Sequence, residues 1–237
     1  MKLGADSIKK IADLFSSRNQ YRIPLYQRRY VWDKANWETL WRDLVQLQRQ
    51  IDNGEKDKKH FTGTIVTHAE KDSSQENWDI IDGQQRLTTF QVIFSVIHDL
   101  CASKAYLSSV SPDFLKDVKG FTKLTSLEME ETNIEQDQFF PYRLTPAGHD
   151  RDSLYSVISG EIGKDISEQS DIGIIFKKFQ SLVQQSDQNR VIMAYGYFGV
   201  AIMNYLGEED ATKLLTLTHT LANNFRVIKV DLVVVQC

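Results

Sequence analysis

The stretch WDIIDGQQRLTTF, residues 78–90, decides how this chain is read. Residues 78–82 are mostly aromatic or β-branched and follow a polar run, which predicts a strand. Gly83 comes next. From Leu87 onward apolar residues recur at Phe90, Ile93, Phe94, Ile97 and Cys101, the spacing of a helix that runs to about Ser103. A strand that bends through a glycine into a helix leaves the first helical N–H groups without intrahelical acceptors, and the helix dipole adds partial positive charge there. Such an end holds anions, phosphates above all. Gly83 lets a phosphate come close to the backbone, and Arg86 carries the planar fork that grips phosphate oxygens in pairs. Gln84 and Gln85 can donate to oxygens or orient a water. Asp82 can hold a metal ion or polarise that water, and Thr88 and Thr89 can add hydroxyl contacts. The same residues also compose an ordinary capped helix, with Asp82 as cap, Gly83 as turn and Arg86 on the surface. Local sequence does not choose between the two. The turn is not a P-loop, because the chain has no GxxxxGK[ST].

Working upstream, FTGTIVTH (61–68) predicts a strand with a glycine near its start, and AEKDSSQEN (69–77) a polar turn, so 61–82 reads as a hairpin. A charged loop, Asp52–Lys59, precedes it. Asp33 is placed to cap a helix to about Ile51 with Trp37, Leu40, Trp41, Leu44 and Leu47 as its buried stripe. Residues 7–17, SIKKIADLFSS, set Ile8, Ile11, Leu14 and Phe15 on one helical face, with Ser7 as cap. Downstream of Ser103 the chain turns polar as far as residue 138, with weak strand signals in FTKL and SLEME. A short strand-like piece and a helix follow in FFPYRLTPAGHDRDSLYSVI, then helical patterns near 171–186, 188–206 and 208–222, then the β-branched run FRVIKVDLVVV. The expected fold class is therefore α+β. An α/β unit spans 1–103, and a mostly helical part spans 104–237, whose last strand is free to return to the first sheet and make one interleaved domain.

A second informative segment is YRIPLYQRRYVW, residues 21–32, where Pro24 favours extended or turn backbone. Tyr26, Tyr30 and Trp32 interleave with Arg22, Arg28 and Arg29, with Gln27 between. Aromatic rings stack on bases and arginines neutralise phosphates. In extended backbone Tyr26, Arg28 and Tyr30 would share one face. Half-buried strands are also rich in Tyr and Trp, so the aromatics serve equally well as core residues with the arginines solvated.

Composition narrows the rest. Hydrophobic residues make up 41% and charged residues 25% of the 237, which is the balance of a folded globular chain. The net charge of −4 excludes a large uniform nucleic-acid surface, so any DNA contact is local. Two cysteines, Cys101 and Cys237, make neither a disulfide framework nor a zinc site. The first residues carry no apolar core of signal-peptide length and no run spans a bilayer, so the expectation is a cytoplasmic protein without membrane contact. His149-Asp150-Arg151-Asp152 lacks a second cluster at metal-ligand spacing and reads as a helix start with solvated charges, and no metal site is expected from protein ligands alone. His60 and His68 flank the glycine strand as packing or surface histidines, either within reach of the turn.

The two segments together resemble one family. I-P-x-Y-Q-R-x-Y-x-W, here Ile23 to Trp32, is followed about fifty residues later by D-G-Q-Q-R-x-T-T, here Asp82 to Thr89, and the ordered pair resembles the GmrSD N-terminal domain family, including its SspE-type members. Phe61-Thr62-Gly63-Thr64-Ile65-Val66 resembles the family's short glycine strand. Weaker matches continue through Tyr142-Arg143-Leu144-Thr145, Asp150-Arg151, Ala194-Tyr195 and Tyr197-Phe198.

The resemblance implies a ParB/sulfiredoxin-like fold and a nucleotide-hydrolysing sensor that uses an NTP, GTP foremost, with Mg²⁺. It implies an HNH-type nuclease domain as partner and modification-dependent, anti-phage cutting of double-stranded DNA that bears glucosylated bases or phosphorothioate. Asp82, Gly83, Gln84, Gln85 and Arg86 fall on the nucleotide motif, with Thr88 and Thr89 beside it. Pro24, Tyr26, Gln27, Arg28, Tyr30 and Trp32 fall on the first motif, at the same pocket or on the DNA. Family members carry a segment like F-E-x-x-N-x-x-G-x-x-L soon after a strand like Val230–Val235, and this sequence ends before it and before any nuclease domain. Two rival expectations stand beside the NTPase: a binding module that recognises modified DNA without chemistry of its own, and a nuclease, for which the acidic clusters have poor metal spacing. A homo-oligomer is compatible with all of them.

Overall fold

The hairpin and the helix after it form the spine of the molecule. In the computed structural model, which describes residues 2–3, 7–16, 19–69, 77–123, 142–146, 148–184, 189–207 and 211–233, strand β4 (His60–Ala69) pairs antiparallel with β5 (Asn77–Asp82). Gly83 then turns the chain into α3 (Gln84–Ala102). The turn loop of the hairpin, 70–76, lies outside the described residues.

The sheet draws on the whole chain. Its other strands are β1 (Lys2–Leu3), β2 (Ser7–Lys10), β3 (Gln20–Arg22), β6 (Leu144–Thr145) and β7 (Phe225–Val233). The order is β1-β7-β4-β5-β3-β6, with β2 also on β7. The last strand, β7, thus lies beside β4, parallel to it, and takes β1 and β2 antiparallel on its other side. On the far side β3 runs parallel to both β5 and β6. The architecture is α+β, a mixed sheet with helices.

The helices are α1 (Ile11–Leu14), α2 (Lys34–Asp52), α3, α4 (Pro112–Gly120), α5 (Arg151–Ile158), α6 (Lys164–Ser167), α7 (Ile172–Gln184), α8 (Arg190–Leu206) and α9 (Thr212–Asn224). Helix α3 packs against α4, α5, α6 and α8 and is buried on every side. Its apolar stripe was legible, but Val92, Val96, Leu100 and the polar Thr88, Gln91, Ser95 and Asp99 are buried too. The aromatic core knits the sheet to this helix, with Phe15 edge-on to Phe94 at 6.3 Å and Phe90 edge-on to Phe225 at 6.3 Å.

Three local readings need correction. Ser7–Lys10 is strand rather than helix, because its backbone pairs with Arg226–Lys229, and Ile8 is left exposed instead of facing a helical core. The polar segment after Ser103 contains α4, whose start carries a Ser111 cap on the Phe114 amide and Pro112 at the first turn. Asp150 does not cap α5 and is not a solvated charge. Its carboxylate is half-buried and accepts from the Tyr30 amide at 2.6 Å and from Asn189 Nδ2 at 3.0 Å. The SLEME strand signal falls outside the described residues.

Candidate functional site

The Gly83 turn has the geometry that its sequence called for. Gly83 has φ +94°, a left-handed conformation that side chains rarely adopt, and a Cβ there would meet Ile65 Cγ1 at 2.9 Å. The Asp82 carboxylate is exposed and accepts the Gly83 N–H at 2.8 Å through Oδ1. The Arg86 and Leu87 amides close on the Gly83 carbonyl at 3.1 Å. The Gln84 and Gln85 amides have no acceptor among the described residues.

Arg86 lies along the sheet rather than out in solvent. Its Nη1 donates to the Thr64 carbonyl at 2.8 Å, and its guanidinium crosses Gly63, where a Cβ would sit 3.1 Å from Nη2. Gly63 itself has φ +103° and sits where the β4–β7 register shifts between Phe61 and Thr64. The bulge and the missing side chain together make the groove in which the arginine rests. Arg86 has no carboxylate within ion-pair distance among the described residues, and its other donors have no acceptor there. Partial burial pulls its pKa down, and the nearby Asp82 charge pushes back.

The first motif is wrapped onto this turn by side-chain amides. Gln85 Oε1 accepts from the Val31 and Trp32 amides at 2.7 and 3.3 Å, and its Nε2 donates to the Arg29 carbonyl at 2.9 Å. Gln84 Nε2 donates to the Arg28 carbonyl at 2.6 Å, while its buried Oε1 has no partner among the described residues. Gln27 Nε2 returns the contact to the Ile81 carbonyl at 2.9 Å. Below them Trp37 Nε1 donates to the Tyr30 hydroxyl at 2.9 Å. The Thr89 hydroxyl donates to the Gln85 carbonyl, so Tyr30 is left to donate to Thr89 Oγ1 at 2.7 Å. Burial raises the Tyr30 phenol well above its ordinary pKa, more than the two hydrogen bonds lower it.

These contacts sort the predicted residues. Gln85, Thr89 and Tyr30 are buried, with their polar atoms spent on one another and on backbone. Asp82, Arg28 and Tyr26 are exposed, Pro24, Gln27, Trp32 and Arg86 are half-buried, and Thr88 lines a narrow crevice with Arg28, Tyr30 and Gln84. Tyr26 and Tyr30 do not share a face. The Gln27 amide closes a turn on the Pro24 carbonyl at 3.0 Å, which breaks the alternation and leaves Tyr26 72% exposed while Tyr30 is 5% exposed. Leu25 at this turn is 84% exposed. Asp150 and Asn189, which anchor the Tyr30 amide, were not singled out for that role, and no local sequence signal links residues so far apart. His60 stacks on Phe225 at 4.8 Å. Among the described residues no group of three His, Cys, Asp or Glu converges to hold a metal, and no helix is long and apolar enough to cross a membrane.

A mixed sheet whose strand–glycine–helix turn carries Asp-Gly-Gln-Gln-Arg, clasped by an Ile-Pro-x-Tyr-Gln-Arg segment, defines an α+β domain with an arginine-bearing glycine turn at the start of its buried helix. The family described as GmrSD restriction endonuclease, N-terminal domain, matches residues 11–234, and the chain belongs to it. It is thus the N-terminal domain type of a DNA restriction system. No curated protein sequence matches the chain.

Proposed function

We propose that this domain binds and hydrolyses a nucleoside triphosphate, GTP foremost, at the Gly83 turn, and that the nucleotide state governs an HNH-type nuclease domain that cuts modified DNA. The observation that carries the reading is Arg86. A half-buried guanidinium without a carboxylate partner among the described residues sits in the first turn of α3, beside two helix-terminal amides that also have no acceptor there. Phosphate oxygens satisfy both at once. Gln84 Oε1 in the same turn, which has no partner among the described residues, can accept from a water or a ligand hydroxyl.

Mg²⁺ fits as part of a metal–triphosphate complex. Magnesium takes one or two carboxylates and keeps phosphate and water as its remaining ligands, and Asp82 offers an exposed carboxylate with one oxygen unengaged among the described residues. When bound, the ion neutralises charge on the phosphates. Arg86 then orients the terminal phosphate and Gln84 Oε1 holds a water. Gln85 keeps the first motif in place, because its amide is already occupied. The test is hydrolysis of GTP, ATP and CTP by the purified protein, with and without modified duplex. Arg86→Ala lowers turnover by about 10²-fold or more, and turnover like that of the wild type removes the assignment.

A second reading is favoured by the Leu25–Tyr26 turn, where an apolar and an aromatic side chain stand in solvent beside exposed Arg28 and Arg29. We infer that this tip meets modified DNA, with the arginines on phosphates and the apolar pair on the modification. Tyr26→Ala then weakens binding to modified duplex more than to unmodified duplex. Equal loss on both would assign the tip to backbone contact alone.

A further inference from the structure

Far from the Gly83 turn, the C-terminal third of α3 borders a cavity of about 80 Å³. His98 and Asp99 form its α3 side, Lys119 and Lys123 come from the end of α4 and just beyond, and Ser159 and Gly160 close it after α5. The Asp99 carboxylate is buried and committed. Tyr195 Oη donates to Oδ2 at 2.7 Å and His98 Nδ1 lies 3.0 Å from Oδ1. The 159–163 turn is pressed so close that a Cβ on Gly163 would stand 1.9 Å from Oδ2.

The lysines are not matched in the same way. Lys123 Nζ donates to the Ser159 carbonyl at 3.3 Å and stands 5.3 Å from the centroid of the Tyr142 ring, with no carboxylate in ion-pair distance among the described residues. Lys119, four residues earlier, faces the same cavity with no ion pair among those residues. Like charges at that spacing repel. Burial and the Lys119 charge both draw the Lys123 pKa down, and Asp99 only partly opposes them.

The geometry points to a second anion site here, which takes a single phosphate-sized oxyanion between the Lys119 and Lys123 ammonium groups, about 21 Å along α3 from the Gly83 turn. The cavity has room for one phosphate group. An anion there removes the repulsion between the lysines and gives the half-buried ammonium a full charge partner, the strong form of such hydrogen bonds. The phosphate comes either as the free ion or as the terminal group of a nucleotide that leaves its nucleoside outside.

Calorimetric titration of the whole chain at low ionic strength tests this, with inorganic phosphate in one arm and a nucleoside 5′-monophosphate in the other. We expect one phosphate site of about millimolar affinity in addition to any at the Gly83 turn, weakened about tenfold by Lys123→Met and by the exposed-residue change Lys119→Gln. Lys123→Arg, which keeps the charge, retains it, and so does Arg86→Ala, which touches only the Gly83 turn. In the Arg86→Ala chain, where the Gly83 turn no longer competes, binding in the first arm alone assigns the free ion, and binding in both assigns a terminal phosphate. Absence of phosphate binding, or binding that Arg86→Ala abolishes and Lys119→Gln leaves intact, overturns the proposal. Thermal melting of each variant separates a lost site from a lost fold, with Lys119→Gln as the variant least able to disturb packing.

Discussion

Replacing Gln85 with alanine should unfasten the first motif. The side chain receives two backbone N–H groups, at 2.7 and 3.3 Å, and gives one hydrogen bond to a backbone carbonyl at 2.9 Å. It is 7% exposed, so bulk water replaces it poorly. An unmet buried polar group costs about 1–3 kcal/mol. The 3.3 Å contact adds little and Val31 is itself exposed, so the two short bonds set the scale at about 3 kcal/mol in all. For a chain of this size that lowers the midpoint by roughly 6–12 °C. Circular-dichroism melting measures the loss, and trypsin cleavage at the exposed Arg28–Arg29 pair, faster in the variant, locates it. Gln85→Glu should be no better, because a carboxylate keeps the acceptors but faces the Arg29 carbonyl with no proton to give. A Gln85→Ala protein that melts within a degree of wild type, is cut no faster, and yet loses NTP turnover would refute the reasoning and return Gln85 to the water-positioning role.

Gly63→Ala should impair the arginine groove from beneath. The residue would hold φ +103° at a cost of about 1–3 kcal/mol, and its methyl would stand 3.1 Å from Arg86 Nη2; nucleotide affinity falls with stability, whereas Gly54→Ala, at a left-handed glycine with open space around it, lowers stability alone. Alkaline pH should destabilise the fold through Tyr30 and Tyr195, whose phenols burial holds protonated above the ordinary value of 10.0. Above that pH the unfolded chain has released protons that the folded one retains, so stability falls as pH rises. Melting temperature followed from pH 8 to 11 checks it, and Tyr30→Phe should flatten the decline.

Much of the fold was written locally, and the rest was not. The α3 stripe, the Asp33 cap and the hairpin follow from periodicity and turn chemistry within a few residues of each other. Ile8 misled because its apolar spacing fits a helix, while a partner strand more than two hundred residues away claims its backbone. At the site, Gly83 was legible as the bend between strand and helix, because a left-handed turn at that point favours glycine. The two glutamines were legible only as polar groups near it. That they fasten Arg28–Trp32 instead of facing outward depends on how that segment lies over the turn, which no local pattern encodes. Gly63 illustrates the reverse case: a glycine seen as strand punctuation owes its place to an arginine 23 positions later.

The wrapping also joins the two motifs through hydrogen bonds. The Leu25–Gln27 tip is exposed, but its roots are not independent of the turn: Gln27 holds the Ile81 carbonyl one residue before Asp82, and Gln84 and Gln85 hold the carbonyls of Arg28 and Arg29. Asp150 ties the Tyr30 amide to Asn189 at the start of α8, and Arg190 of α8 donates to the Val31 carbonyl. A ligand that shifts the tip therefore acts on the hydrogen bonds that join this segment to the first turn of α3, a helix packed on all sides. The 24–32 segment is largely exposed, whereas the helix is buried. If a DNA ligand at the tip changes the affinity of the Gly83 turn for phosphate by some factor, phosphate at the turn must change the affinity for that DNA by the same factor, because coupling between two binding sites is reciprocal.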